Sequence, residues 1–163
     1  MSETLKTRKL VLNVIWVGMA WVILVYWIVY GMVSRSARPV AGSPGLWYGL
    51  IAVAVFPLMG GWMWHTWRMA QVNALITPTA FQRLSPSDRM VIQNQVQTSA
   101  IVSLACFEAT AVIGLAFGVF GCPIPYVFHT LAFASLLCIL LYRIQGYHEI
   151  FAALERLDVR SIA

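Results

Sequence analysis

Charge is what this chain has least of. Only 10% of its 163 residues are Asp, Glu, Lys or Arg, where soluble domains carry about 25%. So few charges cannot cover the surface of a soluble domain, which excludes an ordinary cytosolic enzyme. With 60% hydrophobic residues, a disordered chain is excluded as well. The three cysteines form no C-x-x-C and show no metal-like spacing, which excludes a disulfide scaffold and a zinc cluster. The net charge is +5, yet no basic run with interleaved aromatics exists, so nucleic acid is not a partner. A nucleotide loop, a Ser/His/Asp triad and paired carboxylates are also missing. A membrane enzyme therefore has the least support, and no cofactor is assigned.

What the chain does have is long uncharged runs. The first, Leu10 to Ser34, covers 25 residues, longer than the ~7–15-residue core of a signal peptide. It reads as an uncleaved first span. A helix crossing ~30 Å of hydrocarbon needs ~20 apolar residues. Four stretches meet this need: about 11–33, 46–67, 100–120 and 125–142. Continuous apolar runs exclude strands as spans, because an open sheet cannot satisfy its backbone in lipid. The expected fold is all-α: a single polytopic membrane domain of four transmembrane helices in an antiparallel bundle.

Orientation follows from the basic residues. Lys6, Arg8 and Lys9, then Arg68, Arg83 and Arg89, then Arg143, Arg156 and Arg160 lie on one side. Arg35 and Arg38 lie on the other. Nine against two puts both termini in the cytoplasm. The location that goes with this topology is a multi-pass protein of the bacterial inner membrane. The short Gly121–Ile124 turn makes helices three and four a hairpin. Ser85-Pro86-Ser87-Asp88 reads as a helix start, with Ser as N-cap, Pro at the first helical position and Asp three residues on. After Tyr142, the tail 143–163 places Ile150, Phe151, Leu154 and Leu157 on one helical face. It reads as an amphipathic helix on the membrane or docked at the cytoplasmic end.

Glu108 is the one acid inside a span, and a bare carboxylate at that depth is expensive. It reads either as a titrating proton or cation site, or as a neutral carboxyl used for packing. Glu108 is level with about residue 138 on helix four; Ser135, within a helical turn of that level, is the expected hydrogen-bond partner, and a protonated ground state is expected because no Lys or Arg reaches that depth. Ser103, Ala111, Gly114, Gly118 and Gly121 gather on one side of helix three. Small residues there let another helix approach closely. His65 and His129 are weak metal or haem candidates at opposite depths, so they cannot share one ligand within a bundle. Interfacial histidines bonded to headgroups or carbonyls are the plainer reading.

The run Ser103-Leu-Ala-Cys-Phe-Glu108-Ala-Thr-Ala-Val-Ile-Gly114-Leu resembles the carboxylate helix of the rotary ATP synthase c subunit. The likeness is local: the preceding helix lacks the alternating glycine run, and no Arg-Gln-Pro turn is present. The whole chain resembles small uncharacterised bacterial four-helix membrane proteins with such a third helix. That resemblance implies a protonatable carboxyl and no set activity. Small multidrug transporters also have four helices and one membrane glutamate, but theirs is in the first helix. Two functions follow from these features. One is a proton- or cation-handling bundle acting through Glu108, as a homo-oligomer or with a partner membrane subunit. The alternative is a non-catalytic accessory or assembly subunit of a larger complex.

Overall fold

The computed structural model describes residues 3–34, 44–77, 85–124 and 126–159. Arg35, Arg38, Arg83 and Arg160, four of the residues used to assign topology, lie outside the described residues, as does Pro125, where the fourth span is expected to begin. Among the described residues there are five helices and no strand: α1 Glu3–Val33, α2 Pro44–Leu75, α3 Pro86–Val119, α4 Val127–Ile144 and α5 Gly146–Val159. Four segments are long and apolar enough to cross a membrane: Leu5–Val33, Gly45–Leu75, Pro86–Val119 and Val127–Arg156.

The first three helices outrun their apolar stretches. α1 has 31 residues, α2 32 and α3 34, so each is about 46–51 Å long at ~1.5 Å per residue. Hydrocarbon needs only ~30 Å of that. α3 begins where its cap motif predicts. The Ser85 hydroxyl accepts from the Asp88 amide at 3.2 Å, and the Asp88 carboxylate accepts from the Ser85 amide at 3.1 Å. Two orphan donors of the first turn are thereby satisfied.

The end of α3 is also set by sequence. Gly121 has φ 68°, a left-handed conformation that costs glycine nothing. It lets the Cys122 amide reach the Phe117 carbonyl at 2.9 Å and its own amide reach the Gly118 carbonyl at 3.2 Å. This is a Schellman closure. Gly121 therefore terminates the helix rather than packing it.

α4 and α5 are divided by a break at Gln145 and Gly146. A Cβ on Gly146 would lie 2.5 Å from the Tyr142 ring, so a bare backbone lets that ring fold beneath the break. α3 packs against each of the other four helices. Its faces meet neighbours closely at small residues. A Cβ on Gly114 would sit 3.0 Å from the Leu131 Cβ, and one on Gly118 would strike the Tyr30 ring at 2.2 Å. Ala111 is fully buried. The small-residue stripe thus serves two neighbours, α4 at Gly114 and α1 at Gly118.

The overhanging ends of α1, α2 and α3 form a second layer with α5. Leu5, Met69, Val72, Ile92, Val96, Ile150 and Leu154 are buried there in one continuous core. The amphipathic tail is docked. Ile150 and Leu154 are fully covered, each contributing about 1.5–3 kcal/mol by burial. Side chains of Leu157 and Asp158 lie outside the described residues. By contrast, α1 shows the outside an apolar stripe of Leu10, Val14, Val17, Trp21, Val25, Ile28 and Met32, the pattern of a helix facing lipid.

Candidate functional site

Hydroxyls and ring N–H groups tie the helices together by donating to backbone carbonyls across the interfaces. Ser103 donates to the Gly61 carbonyl at 3.0 Å, and Thr110 to the Ala54 carbonyl at 3.1 Å, both from α3 to α2. Trp16 on α1 donates to the Ile139 carbonyl on α4 at 3.0 Å. Tyr147 on α5 donates to the Leu12 carbonyl on α1. Ser135, on α4, donates to the Phe107 carbonyl. A hydroxyl inside an apolar bundle must find an acceptor, and helix carbonyls keep a lone pair free for one. Ser103 thus lies at the α2–α3 interface.

Ser135 does not meet Glu108. Its hydroxyl is turned to the backbone one residue earlier, and the Glu108 side chain leaves on a different side of α3. The partner comes from α1: the Tyr26 hydroxyl donates to Glu108 Oε1 at 2.9 Å. Glu108 is half-buried and shares an edge of α3 with the exposed Ile101, Ala105 and Val112. The carboxyl therefore sits at the α1–α3 seam with one flank turned outward. Among the described residues no Lys, Arg or His forms an ion pair with it. It lies 11 residues before the end of α3 at Val119, about 17 Å along the axis.

A second polar group was not legible as such. His65 is 3% exposed, not interfacial. The Tyr142 hydroxyl approaches its Nδ1 at 3.0 Å, and a Glu149 carboxylate oxygen lies 3.1 Å from its Nε2. An ionised carboxylate can only accept, so for a neutral ring Nε2 carries the proton and Nδ1 accepts from tyrosine. The chain Tyr142–His65–Glu149 thus joins α4, α2 and α5. Trp62 and Phe107 wall it, each with its ring centroid 5.6 Å from that of Tyr142. Periodicity could have suggested Tyr142 and Glu149 only after the fold of the tail was known.

His129 is exposed beside an aromatic group. Its ring meets those of Tyr30 at 5.1 Å and Phe128 at 5.4 Å. It does not approach His65. Among the described residues no three His, Cys, Asp or Glu side chains come together as a metal set. Cys106, Cys122 and Cys138 are free thiols.

The Glu108–Tyr26 pair can accept and release a proton, or hold a small cation between a carboxylate and a phenol oxygen. The His65 chain, ending at a partly exposed acid, ties the α5 cap to the bundle. No protein-family model, curated protein or solved structure matches this chain.

Proposed function

We propose that this is an integral membrane protein that handles a proton or small cation at Glu108, with Tyr26 as the coordinating hydroxyl. The four segments fit to cross a membrane support the class. The reading takes the spans as an antiparallel bundle with both termini cytoplasmic, in a bacterial inner membrane. Contact order supports this arrangement: Ala54 meets Thr110 and Gly61 meets Ser103, in reverse order along α2 and α3. The excess of basic residues at one end supports the orientation.

The observation that carries the reading is the imbalance at Glu108. An acid at the helix centre costs about 2.5–3.5 kcal/mol on insertion scales. One interhelical hydrogen bond in a membrane returns ~0.6, and at most ~1.7 kcal/mol. The Tyr26 bond alone does not offset the charge, so the carboxyl takes up a proton or a cation. The test is carbodiimide labelling in native membranes, read by mass spectrometry, beside Glu108→Gln as the unreactive control. Labelling at Glu108 that a cation blocks identifies a cation site. Labelling indifferent to cations and lost in alkali identifies a proton site. No labelling at any pH sinks the proposal.

One observation favours a second reading. The outward flank of Glu108 lies among exposed apolar residues, where a helix of another subunit would cover it. On that reading the chain is an accessory or assembly subunit, or one copy of a homo-oligomer, and Glu108 donates across the interface. Co-purification of a partner in mild detergent, lost in Glu108→Gln, distinguishes this from ion handling.

A further inference from the structure

Lys9 is the last charge before the uncharged run of α1, and Arg143 the first charge after that of α4. Both therefore lie at the boundary where hydrocarbon gives way to headgroups. The fold brings them to one cleft of about 320 Å³, lined also by Ile144, His148, Phe151 and Glu155.

The two cations are in different states. Lys9 is paired with Glu155 at 2.5 Å and lies over the Phe151 ring at 5.1 Å. Arg143 forms no hydrogen bond or ion pair among the described residues. Aromatic faces hold it instead: Tyr147 at 5.1 Å, Trp16 at 5.7 Å and Phe151 at 6.0 Å. These cation–π contacts engage the charge without supplying an acceptor for its N–H fork, and that fork suits phosphate oxygens in a bidentate grip. Glu155 is the cleft's one carboxylate, and it is engaged by Lys9. His148 is exposed at the rim.

We infer that this cleft binds the phosphate of an anionic phospholipid headgroup, with Arg143 as the principal ligand and Lys9 as the second. The depth selects a lipid over a soluble anion. The phosphodiester of a membrane lipid resides at this level, and its acyl chains would run down beside the exposed apolar flank of α4 at Ile144 and Leu140. Basic pockets between spans are sites for anionic headgroups.

The test uses the full chain in nonionic detergent with equal amounts of phosphatidylglycerol and phosphatidylcholine of matched acyl chains, read by native mass spectrometry. Wild-type protein is expected to retain phosphatidylglycerol preferentially. Arg143→Gln is expected to lower that retention about fivefold, the effect of one basic residue at an anionic surface. Glu155→Gln removes the competing carboxylate and is expected to raise it, a gain that misfolding cannot mimic. Arg8→Gln, in a separate cleft with Asn94 and Gln97, is expected to leave it unchanged. Equal retention of the two lipids overturns the proposal, as does a Glu155→Gln variant no better than wild type. Displacement of the lipid by millimolar inorganic phosphate overturns the lipid as the source and assigns the cleft to a soluble phosphate.

Discussion

Two adjacent glycines on α2 allow the packing of α2 on α3 to be measured against an internal control. A Cβ at Gly61 would lie 2.6 Å from Phe107 Cε1 and 3.0 Å from the Ser103 carbonyl oxygen, whereas at Gly60 it would meet nothing within 4 Å. Ordinary contact is about 0.8 Å longer than the first of these distances. Phe107 is fully buried and boxed by Trp62 at 5.7 Å and Tyr142 at 5.6 Å, so its ring has little room to retreat. The Ser103 carbonyl belongs to the backbone, and the Ser103 hydroxyl is bonded to Gly61 itself. Overpacking of this kind costs about 1–3 kcal/mol. Gly-to-Ala also brings a helix-propensity gain of up to ~1 kcal/mol, which both variants share. Gly61→Ala should therefore be less stable than Gly60→Ala by about 1–3 kcal/mol. Reversible unfolding of the purified protein in mixed micelles, followed by circular dichroism, gives the difference. Equal stabilities would refute the close approach of α2 to α3 at this point, and with it the placement of Phe107 and Ser103.

His65→Phe removes both bonds of the Tyr142–His65–Glu149 chain and leaves a buried tyrosine hydroxyl without its acceptor, at a cost of about 1–3 kcal/mol. Amide hydrogen exchange should quicken across α5 while the centre of α3 stays protected; an unchanged α5 would mean that apolar burial alone holds the cap. Tyr26→Phe and Glu108→Gln, singly and together, form a double-mutant cycle on the seam. The expected coupling is ~0.6 kcal/mol and no more than ~1.7, and a coupling of zero would show that the two side chains do not meet.

The features legible in the sequence are those written along one helix. The apolar runs announce four spans, and Ser85 to Asp88 give the α3 start down to its hydrogen bonds. The spacing of Ile150 and Leu154 marks the buried face of the tail. What sequence did not disclose is rotation and register between helices. In spans that are apolar on every side, no polar face shows which side turns inward. The hairpin fixes α3 against α4, and Ser135 lies beside the Phe107 carbonyl, one residue from Glu108. Level is not azimuth, however, and the partner came from Tyr26 on α1, whose register against α3 is set by packing at Tyr30 and Gly118. His65 is misjudged for a related reason. It lies near the end of an apolar run, but α2 continues to Leu75 and α5 folds over it, so that a boundary position becomes an interior one.

The α5 cap also bears on the order in which the molecule is assembled. Tyr147 reaches Leu12 across 135 residues of chain, and Glu155 reaches Lys9 across 146. At ~5–20 residues per second of synthesis, the first helix waits about 7–27 s for the side chain that fastens it. During that interval α1 has few neighbours: even in the finished structure only 11% of its most apolar window is buried. Most of that window is thus left uncovered by the rest of the chain. α5 then seals the end of the bundle where α1 begins, so this closure forms only after α4 has been delivered.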